Sequence, residues 1–293
     1  MHVFITGGSG LIGSAVVAEL LRTGHTVAAL ARSDASADAL RAAGAQPVAG
    51  GLGDLSVLRA GADGADGVIH LAFANDFSSP EALANAVAEE GSALTAMGEA
   101  LVGSDRPLVA CSGTPAVPGR ASTEADPITT DGPVGGRGRS VTAVLGLAAD
   151  GVRSSAVRLP RTVHKDGTGG FAGLLAALAR QRGVCGYPGD GSQRWPAVHA
   201  LDAAVLFRLA LESAPAGTSW HAVADEGDRV GDIAAVIGRR LGVPVEAVPP
   251  DAFGALGPVF AADQPSSSAH TQQALGWTPT HPSLLQDLER IGH

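Results

Sequence analysis

The sequence is poor in several residue types, with one lysine, one tyrosine, two cysteines and only 4% aromatic residues. Each scarcity excludes something. Cys111 and Cys185 lie far apart with no CxxC or CxxH pair, so neither a zinc site nor a disulfide framework is expected, and no metal is assigned. Such cysteine usage fits a reducing cytoplasm. Lys+Arg 20 against Asp+Glu 29 gives a net charge of −9 with no basic block, which offers no attractive face to a phosphate backbone or an anionic membrane. Nucleic acid and membrane are therefore not expected as partners; a small molecule is, and an oligomer is left open. No apolar run reaches the roughly 18 residues of a membrane helix. The opening MHVFITGGSG has no charged leader or cleavage site, so the expectation is a cytoplasmic, unprocessed protein. The lone lysine, Lys165, precedes the lone tyrosine, Tyr187, so no Tyr-x3-Lys pair exists in this chain.

What is present is an ample apolar fraction, 45% of 293 residues, enough for one large or two modest domains. Short β-branched or aliphatic runs at 2–5, 26–30, 46–48, 67–71 and 108–111 read as buried parallel strands. Between them, 11–22, 34–43, 55–60 and 80–102 carry apolar residues near helical spacing, with Gly24 and Gly44 placed as stops. This alternation predicts an α/β protein, a Rossmann-type doubly wound parallel sheet with right-handed crossovers. Residues 115–138, rich in Pro, Gly, Thr and Asp, read as a long loop. A helix over 140–149, a sixth strand over 155–159, and helices over 171–180, 202–213 and 230–241 follow, with a final helix from Pro282. The expected organisation is a Rossmann domain over 1–165, with 196–218 returning to it, and a small substrate lobe from 166–195 and 219–293.

The decisive segment is Val3-Phe4-Ile5-Thr6-Gly7-Gly8-Ser9-Gly10-Leu11-Ile12-Gly13, between a predicted strand and a predicted helix. Gly7 suits the positive φ of a tight turn, Gly10 removes a Cβ that would meet a pyrophosphate, and Gly13 allows the helix to pack closely on the strand. Free N–H groups at the helix start then face the phosphates. The second strand runs into Arg32-Ser33 rather than an acid. A guanidinium there suits a 2′-phosphate, which favours NADP over NAD.

With TGGSGLIG followed by His70-Leu71-Ala72, Ser112-Gly113-Thr114, Trp195-Pro196-Ala197-Val198-His199 with Asp202, and Leu275-Gly276-Trp277-Thr278-Pro279, the chain resembles the extended and atypical short-chain dehydrogenase/reductases, the epimerase/dehydratase-like group, over essentially its whole length. The resemblance implies strand order 3-2-1-4-5-6-7 and a C-terminal substrate lobe. It also implies that Thr6 to Gly13, Arg32, Ser33, Leu52, Leu71, Ala72, Phe73, Ser112 and Pro160 contact the cofactor. Where the family often has an acid touching adenine, this chain reads Gly50-Gly51-Leu52. The family's catalytic hydroxyl falls on Thr114, whose alternative is a strand-end hydroxyl serving the local backbone. Its Tyr-x3-Lys falls in Pro133 to Val141, where no phenol stands and Arg137 sits roughly at the lysine's place, able to hold a ribose hydroxyl. His164, in the proline-led loop after the sixth strand, is a candidate proton donor or a plain hydrogen-bonding group. Asp76, after the fourth strand, is another candidate acid or a helix cap. His199 and Asp202 read as architectural. Phe171, Tyr187 and Trp195 either line an apolar substrate pocket or form the lobe core.

These features describe an NADPH-dependent reductase of a small carbonyl, imine or activated alkene. The alternatives are a non-catalytic NADP-binding redox sensor and a non-redox lyase or epimerase. Without the tyrosine, acid catalysis worth roughly 100- to 10,000-fold is missing. A substrate bringing its own positive charge, such as an iminium ion, would not need it.

Overall fold

The computed structural model describes residues 1–74, 79–132 and 135–291. The first half alternates as its periodicity predicts: β1 (His2–Thr6), α1 (Leu11–Arg22), β2 (Thr26–Ala31), α2 (Asp34–Ala42), β3 (Gln46–Ala49), α3 (Leu55–Asp63), β4 (Gly67–His70), α4 (Pro80–Leu101) and β5 (Pro107–Gly113). Then come α5 (Gly135–Gly146), β6 (Arg153–Leu159), β7 (Thr162–His164), α6 (Gly170–Arg182), β8 (Cys185–Pro188), β9 (Arg194–His199) and α7 (Ala200–Ser213). β10 (Thr218–His221), β11 (Asp225–Arg229), α8 (Val230–Leu241) and β12 (Val245–Val248) precede short helices, the last over Leu284–Leu288.

Seven strands form one parallel sheet in the order β10-β6-β5-β4-β1-β2-β3. This is a Rossmann fold, and its order reverses between β1 and β4, which opens a crevice at the carboxyl ends of the strands. The strands are short continuous apolar runs because both faces are covered. Val3, Ile5, Ile69 and Val157 pack with α1 and α7 on one face. Phe4, Val68, Leu108 and Ala156 pack with α3, α4 and α5 on the other.

Three segments depart from the sequence-based expectation. Residues 135–138, expected in a loop, open α5. Their glycines serve packing rather than turning: a Cβ on Gly135 would lie 2.2 Å from the Thr130 carbonyl oxygen, on Gly136 2.4 Å from Val87, and on Gly138 2.0 Å from the Thr129 carbonyl oxygen. The helix starts early because glycine lets it sit against that backbone. Residues 219–221, expected in the lobe, complete the seventh strand, with Trp220 opposite Val157. Thr162–His164, expected in the Rossmann part, instead pairs with β9 in a three-stranded sheet, β11-β9-β7. A third core, built on Trp195, Phe260, Ile233 and Leu288, fills this C-terminal region.

Candidate functional site

At the switch point the chain from β1 to α1 forms a cradle. Gly7 turns at φ +75°, and a Cβ there would lie 2.8 Å from the Ala72 backbone nitrogen. A Cβ on Gly13 would meet the Gly7 carbonyl oxygen at 1.9 Å, so α1 packs against the loop only with glycine at that position. Gly10 differs, because a Cβ there meets only the Gly7 oxygen at 3.5 Å and otherwise points into open space. That space belongs to a cavity of about 390 Å³ lined by Gly7, Ser9 and Gly10 together with Arg32, Leu52, Leu71, Ala72 and Phe73. Gly10 is the N-cap of α1 and no side chain caps the helix, which leaves its first N–H groups free for an anion. The donor-lined cradle, the open face at Gly10 and the basic residue at the end of β2 fit a dinucleotide.

The other residues expected here have different work. Thr6 is fully buried, with its hydroxyl 2.8 Å from His70 Nδ1 and accepting from the Leu71 and Ala72 backbone N–H groups at 3.3 Å. It fixes the end of β4 against β1 rather than lining the cavity. Gly8 and Ile12 pack into the core, and Leu11 stands 38% exposed outside the cavity lining. Ser33 is the N-cap of α2 in a reciprocal box with Ser36, and it is Ser36 that lines the cavity. Near Gly51, Asp54 accepts from the Gly51 N–H at 2.7 Å, and the acid that lines the cavity is Glu89 of α4.

A second cavity, of about 470 Å³, lies at the carboxyl ends of β5 and β6. Ser112, Thr114, Arg137, Pro160 and Phe171 line it together with Cys111, Arg161 and Gln264. Arg137, from the first turn of α5, donates from Nε and Nη2 to Glu90 of α4, both at 2.7 Å, and lies 4.0 Å over the Phe73 ring. Burial works against its charge and Glu90 more than offsets this, so its pKa is raised. His70 Nε2 is buried with no hydrogen-bond partner, 4.0 Å from Glu90. Burial, reinforced by the Arg137 charge, lowers the His70 pKa to about 3 and keeps the ring neutral. Burial likewise pushes the Cys111 thiol up to about 11, with Arg137 opposing and Glu90 assisting. Arg137 is thus a fixed cation, and Cys111 a protonated wall.

Several other expected site residues lie elsewhere. His164 is 1% exposed and does not line the cavity; its Nδ1 lies 3.0 Å from Asp287, tying β7 to the last helix, so its placement corrects the proton-donor reading. Trp195 is fully buried and Tyr187 packs around the same core, so both form the lobe interior rather than the cleft wall. Of the three aromatic candidates, Phe171 alone lines the cavity, because α6 starts beside the loop after β6. Asp76 lies outside the described residues. His199 and Asp202 are architectural: Asp202 accepts from the Thr280 and His281 N–H groups, and its carbonyl accepts from Trp277 Nε1. Glu90, Arg161 and Gln264 were not foreseen. The Pro160-Arg161 step was the available signal for Arg161; nothing local pointed to Gln264, 150 positions from the Thr114 it bonds. Among the described residues, no cluster of three or more His, Cys, Asp or Glu could hold a metal, and no helix is long and apolar enough to cross a membrane.

The NAD-dependent epimerase/dehydratase family model matches residues 3–137, the stretch that carries the cradle and Arg137. An uncharacterized protein of Schizosaccharomyces pombe, C2A9.02, is 44% identical over 294 residues, covering 98% of each chain. This chain belongs to the NAD-dependent epimerase/dehydratase family. A second uncharacterized relative, YLL056C of Saccharomyces cerevisiae, is 41% identical over 297 residues and again covers 98% of both chains. Among solved structures, the UDP-glucose 4-epimerase of Thermotoga maritima superposes with a TM-score of 0.81 at 19% identity, over 99% of this chain and 97% of that one, a likeness of fold.

Proposed function

We propose that the protein is an NADPH-dependent reductase of a small carbonyl compound. The observation that carries this reading is the charge of the second cavity: Arg137 and Arg161 line it, and among the described residues no carboxylate does. A fixed cation stabilises negative charge growing on a carbonyl oxygen, and in a partly dry cleft that effect is far larger than in water. The same charge opposes an iminium ion. The advantage expected for imines from the missing tyrosine is therefore reversed by the guanidiniums, and carbonyls become the favoured class.

When bound, the nicotinamide supplies a hydride. The chain's own part is to bind, orient and screen. The cradle at Gly7 to Gly10 would hold the pyrophosphate, and Arg32, lining the first cavity with Ser36, would take the 2′-phosphate that distinguishes NADP. Arg137, held by two bonds to Glu90, keeps N–H groups for a ribose or substrate oxygen. Thr114, 5% exposed as a residue, would orient the carbonyl through its hydroxyl, and the proton that completes the alcohol would arrive from water.

The test is oxidation of NADPH and NADH with matched small ketones and cyclic imines. Ketones should react faster than the matching imines, NADPH should be preferred, and Thr114→Val should cost more than Tyr187→Phe. Imines outpacing ketones, or no oxidation with either class, would overturn the proposal.

A further inference from the structure

The second cavity contains a charge that pairs with no carboxylate among the described residues. Arg161 leaves the end of β6 and donates from Nη1 to the Val259 carbonyl at 2.7 Å and from Nη2 to Gln264 Oε1. Both acceptors are neutral. Its Nε is buried with no hydrogen-bond partner. Of the five N–H groups of a guanidinium, three therefore have no protein acceptor among the described residues. Three other arginines contrast with it, since Arg137 pairs with Glu90, Arg120 with Asp126, and Arg194 with Asp263. Arg158 also donates only to neutral acceptors, but the charges of Glu124 and Asp126 act on it. The Phe171 ring, 5.2 Å from the guanidinium carbon, and Trp195, at 6.0 Å, make its surroundings apolar. Burial lowers its pKa to about 10, which still leaves it charged at neutral pH. A half-buried guanidinium without a counter-ion among the described residues is costly, and in a chain with 29 carboxylates against 20 Lys and Arg its retention points to a ligand.

We propose that Arg161 anchors an anionic group of the substrate, so that the compound reduced is a small carbonyl acid. This rests on the reductase reading above. A carboxylate is the smallest anion that presents two oxygens to the guanidinium fork. Size points the same way, since a cavity of about 470 Å³ lies near the low end of the range for a single ligand and must also admit the nicotinamide end of the cofactor. Gln264 sets the geometry. Its Oε1 accepts from Arg161 while its Nε2 donates to the Thr114 carbonyl, tying the anion anchor to the hydroxyl-bearing end of β5. A short molecule can then place its acid on Arg161 and its carbonyl toward Thr114.

The experiment compares a 2-oxo acid, its methyl ester and an oxoalkyl phosphate with wild type, Arg161→Gln and Arg161→Lys. Equilibrium binding is read from the fluorescence of enzyme-bound NADPH and turnover from NADPH oxidation. In wild type the acid should bind at least tenfold more tightly than its ester. Arg161→Gln should raise KM for the acid by about tenfold more than for the ester, the size expected for losing hydrogen bonds between charged groups. Arg161→Lys, which keeps the charge but not the fork, should fall between them. Retained NADPH binding certifies that a variant is folded, and the wild-type comparison stands even where a variant does not fold. If the phosphate is the stronger ligand, the anion site stands and the carboxylate assignment falls. Equal handling of acid and ester by wild type, with NADPH bound and oxidised, would overturn the anion anchor and leave the reductase reading intact. Failure of the chain to bind NADPH would overturn the reductase reading itself.

Discussion

The two cavities differ in how they are assembled. The one over the glycine cradle is built around backbone turns at the ends of β1, β3 and β4 and a bare helix start, with Arg32 at the end of β2 and Glu89 of α4 as its charged lining residues. The one at β5 and β6 is made of side chains from distant segments, among them Arg137 on α5, Arg161 after β6, Phe171 on α6 and Gln264 near the end of the chain. A backbone site takes added atoms only where they face the cavity, and it needs no partner residues. A side-chain site depends on pairs, and damage to one member leaves the other stranded.

The pair most exposed to that damage is Arg137 with Glu90, whose carboxylate is 1% exposed. Arg137→Met should lower stability by about 3 kcal/mol in chemical denaturation, because it leaves a buried carboxylate uncompensated. The double change Arg137→Met with Glu90→Leu should recover much of this. A loss below about 1 kcal/mol would place the pair among weak surface contacts and erase the distinction drawn between the cavities.

At the backbone site the sharper contrast is between two glycines. Gly13→Ala should weaken NADPH binding by about 100-fold or more, close to 2.7 kcal/mol, and also lower the melting temperature, since its Cβ collides with the Gly7 carbonyl. Gly10→Ala should cost about tenfold in NADPH affinity at unchanged melting temperature, because its Cβ meets only the cavity. Titration of NADPH into both variants checks this, and equal losses would remove the case for a pyrophosphate at Gly10. Arg32→Asp should likewise cost about tenfold, near 1.4 kcal/mol, for NADPH and distinctly less for NADH.

The smallest effect expected concerns pH and lies in the C-terminal sheet. Asp228, on β11, has its pKa raised to about 6 by burial and then by Asp225 and Asp232, and its Oδ2 has no hydrogen-bond partner. From about pH 4 to about pH 6 an unfolded chain loses this proton first, so this residue makes stability fall as pH rises through that window. Asp228→Asn removes the cost. The variant should gain on the order of 1 kcal/mol over wild type at about pH 7.5, after allowance for solvent screening, and little at about pH 4. Thermal melts at the two pH values decide it, and a gain confined to acid pH would reverse the sign argued here.

The order of the first nine elements and the glycine cradle were legible in the sequence because they depend on local rules: period, turn chemistry, and a strand-loop-helix motif read over a dozen residues. Arg32 was legible for the same reason, since it follows its strand directly. The glycines of 135–138 were misleading, because in sequence a glycine that permits close helix packing looks the same as one that turns a loop. His164 reads as either an acid or a plain hydrogen-bonding group until Asp287 is placed beside it, and Trp195 as either a pocket wall or a core residue until Phe260 packs edge-on at 5.2 Å. The sequence by itself determined the parallel sheet, its switch point and the cofactor cradle. Which arginine is neutralised by Glu90 and which has no counter-ion among the described residues was decided only by tertiary structure, because ion pairing depends on distances between helices and loops that sequence spacing does not encode.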